Sequence, residues 1–176
     1  MPGSQGGIEY SIAHVAAEGG HTNYLSKNIL KDDGKCWCPR LNAALSSIED
    51  AIIVDMGGEH SVIALEIKNA NCASRATKRA NIHGSLKVDG PWTLLLELSW
   101  EDPANVQLTT ELHTIAETTM RFIRLEILES AGDWANPAWE YLRALTGKKS
   151  VRRKNSCPPP SQLTRLKTPS SRALLH

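Results

Sequence analysis

Along most of the chain an apolar residue returns at every second position. Ile8, Tyr10 and Ile12 alternate with Glu9 and Ser11. Successive side chains of a strand point to opposite faces, so this period gives each strand one face for a core. AIIVDM (51–56) is a short apolar run rich in β-branched residues, and GGEH (57–60) reads as a turn after it. In VIALEIKN, Ile63, Leu65 and Ile67 share a face. Ile82, Gly84, Leu86 and Val88 alternate next, and DGP (89–91) marks a turn. Leu94, Leu96 and Leu98 follow, then Val106, Leu108, Thr110 and Leu112, then Ile123, Leu125 and Ile127. WEYLRAL closes the series at Gly147. The pattern predicts roughly eight short strands separated by turns, an all-β antiparallel sandwich or barrel.

One segment breaks the alternation. In TNYLSKNILK, Leu25, Ile29 and Leu30 have helical spacing behind Thr22, a candidate cap, which predicts a short helix or helical turn near 22–31. After Gly147 the chain has a proline triplet, many Ser and Thr and no sustained apolar period. Residues 148–176 read as a disordered tail, 8–147 as one domain, and 1–7 as a flexible start.

Charge sharpens that division. Eight Lys and Arg and no Asp or Glu follow residue 147, which leaves 12 basic and 19 acidic groups before it, a net of −7. Phosphate contacts supply most affinity for nucleic acid, so direct binding by the acidic domain is not expected. The run Lys148, Lys149, Arg152, Arg153, Lys154 reads either as a nuclear-import signal or as a solubilising tail. No apolar run reaches membrane-spanning length, and no basic-then-apolar leader opens the sequence. Free cysteines in a reducing compartment, cytoplasmic or nuclear, are the expectation.

The stretch DDGKCWCPR (32–40) concentrates the candidate chemistry. Cys36 and Cys38 are one residue too close for a zinc knuckle, no second pair follows, and the six histidines are scattered singly. No nucleophile elbow, phosphate loop or dinucleotide fingerprint is present, so a non-catalytic role is expected. Asp32 and Asp33 form an oxygen-rich turn that could suit calcium. Trp37 reads as a plug for one end of the sandwich or as a ligand contact. In ESAGDWANPAW, Trp134 and Asn136 sit among Gly, Asp and Pro, as on a loop between the last two strands. Arg40, just past Pro39, is placed to face a ligand.

Taken in order, NILKDD…W, IIVDM, VIALEIKN, HGSLKVDGPWTLLLELSWEDP, TTMRFIRLEIL and WEYLRALTG resemble the discoidin, or coagulation factor 5/8 type C, domains. These belong to the galactose-binding-like sandwiches. The resemblance covers about residues 8 to 147. It implies an eight-stranded jelly-roll β-sandwich with ligand loops at one end and binding without catalysis. It also implies a structural calcium near the first turn, where Lys31-Asp32-Asp33-Gly34 departs from the family's order. No cysteines lie near the ends of the domain to staple it, as secreted members have. That points to an intracellular member, similar to the amino-terminal domain of the X-ray-repair scaffold protein. The expected function is protein–protein adaptor work through Trp37, Arg40, Trp134 and Asn136. The alternatives are a lectin-like carbohydrate or lipid-headgroup binder and a nuclear repair scaffold.

Overall fold

The computed structural model describes residues 3–5, 8–16, 22–38, 48–70, 76–101, 109–130 and 138–147. The alternating segments form β1 (Gly3–Gln5), β2 (Ile8–Val15), β3 (Ile48–Asn69), β4 (Thr77–Ser85), β5 (Thr93–Ser99), β6 (Glu111–Ser130) and β7 (Trp139–Thr146). Their pairings are all antiparallel, in the order β1-β2-β3-β6-β4-β5, with β7 on β3.

Among the described residues two pairs of the expected eight strands run on into single long strands, β3 and β6, and the short β1 is added, which makes seven. GGEH is not a turn: Gly57 takes φ +72° and the β3–β6 register slips between Asp55 and His60. That conformation suits glycine, and the slip is a bulge that bends the strand without ending it. A Cβ on Gly57 would lie 3.0 Å from the carbonyl oxygen of Glu9. The bulge is braced by Asp55, whose Oδ1 accepts the Gly57 N–H at 2.9 Å. Arg121 donates to both oxygens of the same carboxylate, each at 2.9 Å. These contacts hold the Asp55 carboxyl below its ordinary range, the Arg121 hydrogen bond contributing most.

On either side of the bend β3 keeps different company. Its first part pairs with β2 and with the second part of β6, which continues through β4 to β5. Its second part pairs with β7 and with the first part of β6. The two layers close on a single core in which Ile52, Val54, Leu65, Ile67, Ile82, Ile123, Leu125 and Ile127 are almost wholly buried. Tyr10 of β2 reaches across the layers, donating its hydroxyl to the Ala144 carbonyl at 3.1 Å and accepting the Ala144 N–H at 3.2 Å. Burial raises its pKa to about 12. The discoidin-like jelly-roll sandwich is the fold.

Residues 3–5 pair with β2. The short helical segment expected near 22–31 takes the form of two 3-10 helices, Thr22–Tyr24 and Ser26–Leu30. Two local expectations are corrected. Thr22 does not cap the second turn; Leu25 stands at its N-cap with no side-chain bond. Finally, β4 stops at Ser85, whose hydroxyl accepts the Lys87 N–H at 3.0 Å, so Leu86 and Val88 are exposed turn residues. Among the described residues no helix is long and apolar enough to cross a membrane.

Candidate ligand-binding end of the sandwich

The residues that flank segments 39–47, 71–75 and 131–137 meet at one end of the sandwich. Thr77 is in register with Ser130, Asn69 with Trp139, and isolated bridges join Ala76 to Ala138 and Trp37 to Trp139. The backbones of Trp37 and Trp139 exchange two hydrogen bonds, at 2.7 and 3.0 Å. Trp100, which precedes segment 102–108, packs edge-on to Trp139 at 6.0 Å.

A floor of indoles closes this end. Trp37 and Trp139 are fully buried and Trp100 is half-buried. A buried indole needs a partner for its N–H. Trp139 donates to the Thr77 hydroxyl at 2.7 Å, and Trp100 donates to Glu111 Oε1 at 2.8 Å. The other Glu111 oxygen lies 2.9 Å from Nε2 of His113.

Two asparagines tie down the chain around the floor. Asn69 Oδ1 accepts the N–H groups of Ala70 and Thr77, at 2.9 and 3.0 Å, while its Nδ2 donates to the Thr77 carbonyl at 2.7 Å. One buried side chain thus clasps both ends of segment 71–75. Asn28 does the same for the first turn, donating to the carbonyls of Thr22 and Cys36 at 3.3 and 3.1 Å. Backbone bonds from Cys36 to Asn23 and from Cys38 to Tyr24 complete the strap that carries Trp37.

The sequence-derived candidates separate here. Trp37 is the plug: with no exposed surface it cannot also contact a ligand, and that assignment is corrected. Cys36 and Cys38 are free thiols against a small apolar cluster with Ala70, Ala138 and Tyr24. Among the described residues no three His, Cys, Asp or Glu gather as a metal site. Arg40, Trp134, Asn136 and the run Lys148, Lys149, Arg152, Arg153, Lys154 lie outside the described residues.

Asp32 and Asp33 are already engaged. Asp33 Oδ1 accepts the Lys35 N–H at 3.1 Å, within its own turn. Asp32 Oδ1 accepts from the Lys68 ammonium at 2.9 Å, and the same ammonium lies 3.1 Å from Glu140 Oε2. The Asp32 bond chiefly, with help from Glu140, raises the Lys68 pKa. A calcium ion needs six to eight oxygens, and a neighbouring ammonium opposes it; as arranged, this donor set does not fit one. Nothing in the sequence singles out Lys68, Asn69 or Glu111, whereas Asn28 opens the NILKDD…W stretch that carries the family resemblance.

No protein-family profile and no curated protein matches the chain. Solved structures do. A CBM32-3 module from a family 31 glycoside hydrolase of Clostridium perfringens superposes with TM-score 0.65 at 14% identity, over 78% of this chain and 91% of that one. The CpGH89CBM32-5 module of the same organism, in complex with GalNAc-beta-1,3-galactose, gives 0.61 at 15%, over 79% and 95%. The family 32 module of C. perfringens NanJ, in complex with galactose, gives 0.58 at 15%, over 78% and 92%. At this identity the likeness is one of fold: the chain folds as the discoidin-like family 32 carbohydrate-binding modules do.

Proposed function

We propose that the chain is a non-catalytic carbohydrate-binding module for galactose-type sugars, with the ligand held at the end floored by Trp37, Trp100 and Trp139. The observation that carries this reading is the likeness in fold to modules solved with galactose and with GalNAc-beta-1,3-galactose. The clasps at Asn28 and Asn69 support it, because a site held rigid before binding loses less entropy on binding. A sugar presents a patch of C–H groups and a rim of hydroxyls. One aromatic ring and a few polar side chains are the complement. Trp134 is the proposed ring; Arg40 donates to hydroxyls, and Asn136 can donate and accept. This ranks sugar binding above the adaptor role suggested by the missing terminal cysteines.

A glycan array tests the reading. Saturable signal on galactose- or N-acetylgalactosamine-terminated glycans is expected. It should be lost in Trp134→Ala and Arg40→Ala while melting temperature and β-sheet circular dichroism stay unchanged. Binding that survives both substitutions would move the site elsewhere. A blank array beside saturable capture of one cellular protein would return the adaptor role to first place.

A further inference from the structure

Lys68 stands where three separate parts of the chain converge. It belongs to β3, Asp32 to the first turn and Glu140 to β7. Its ammonium lies 2.9 Å from Asp32 Oδ1 and 3.1 Å from Glu140 Oε2. The Lys68 and Glu140 side chains are only 13% and 11% exposed. Asp32, at 46% exposure, keeps one side in solvent, whereas Glu140 is shielded; the two carboxylates drawn to one point still repel each other unless a cation lies between them. A bound divalent ion is one solution and a lysine is another. The contact joins Asp32 directly to β3, just ahead of the Trp37 plug, so the cation fixes the turn on which the end of the sandwich closes.

We propose that the Lys68 ammonium is a built-in replacement for a divalent cation, which makes the first turn independent of calcium. Lysine is always present and needs no free ion, so the turn keeps its shape at any calcium concentration. Removing the side chain leaves Asp32 and Glu140 facing a vacated position of negative potential. The truncated site should then accept the ion that the native one excludes. The inference does not depend on what the module binds, and its test uses no sugar.

Thermal unfolding of the full chain is followed with 10 mM calcium and with excess chelator, for the native protein and Lys68→Ala. The native melting temperature is expected to be the same in both. Lys68→Ala should melt lower in chelator and rise by roughly 3 °C or more in calcium, as mass action on a new site requires. Adding Asp32→Asn to that variant should abolish the rise. Should Lys68→Ala be unfolded without metal, the same contrast is read as recovery of its β-sheet circular dichroism on adding calcium. A native protein that calcium stabilises overturns the proposal, and so does a Lys68→Ala variant that calcium leaves unmoved.

Discussion

The indole N–H of Trp139 is donated to the hydroxyl of Thr77 across 2.7 Å, and both residues are wholly buried. The bond ties the start of β7 to the start of β4, so it fixes the spacing of these two strands at the end of the sandwich proposed to hold the ligand. Thr77→Val keeps the shape and removes the acceptor, leaving a buried donor unpaired. A cost of about 1–3 kcal/mol is expected in urea unfolding. A change within experimental error would mean that the indole finds another partner.

Asn69 clasps segment 71–75 with three hydrogen bonds. Asn69→Asp keeps the acceptor, loses the donor to the Thr77 carbonyl and buries a charge. Asn69→Leu loses all three bonds. Both should destabilise, by about 2–4 kcal/mol for leucine. If segment 71–75 borders the ligand, sugar affinity should fall further than the folded fraction does. Stability and affinity measured on the same samples separate the two effects.

Gly57 lets β3 pass from one layer to the other. Gly57→Ala puts a side chain at φ +72° and a methyl 3.0 Å from the Glu9 carbonyl. A loss of roughly 1–3 kcal/mol is expected, visible in thermal or urea unfolding. Gly34 also has positive φ but has open space around it. Gly34→Ala should therefore cost less than Gly57→Ala.

Tyr10 gives the stability curve a definite alkaline limb. Its folded pKa of about 12 lies above the ordinary tyrosine value of 10.0. A raised pKa means that the folded state holds the proton more tightly. Its stabilisation is complete below pH 10 and is lost as pH climbs from 10 towards 12. Lys68 and Tyr141 are shifted in the same direction and add to the decline. Tyr10→Phe should lower stability by about 1–2 kcal/mol at neutral pH, since Ala144 loses both bonds, and should flatten the alkaline limb. Urea midpoints between pH 8 and 12 test both.

The fold was legible because its cause is local. Ile123, Leu125 and Ile127 announce a strand by alternation alone, and the same holds for Ile63, Leu65 and Ile67. What escaped depends on partners distant in sequence. Gly57-Gly58 signals either a turn or a bulge, and only pairing with β6 decides between them. Lys68 looks like the polar half of an alternation, but its partner Asp32 lies 36 positions away. Asn69 resembles any loop-edge asparagine until Thr77 is brought against it. Trp37, between a helical turn and the polar run NAALSSIED, reads as a plug in the sequence, and in the structure it is fully buried.

Isothermal titration of the 176-residue chain with galactose and N-acetylgalactosamine tests the central claim most directly. The account predicts saturable one-to-one binding with a dissociation constant between about 1 μM and 1 mM, and no response to glucose at the same concentrations. Flat heats for all three sugars up to tens of millimolar, from protein with a cooperative melt, would contradict it.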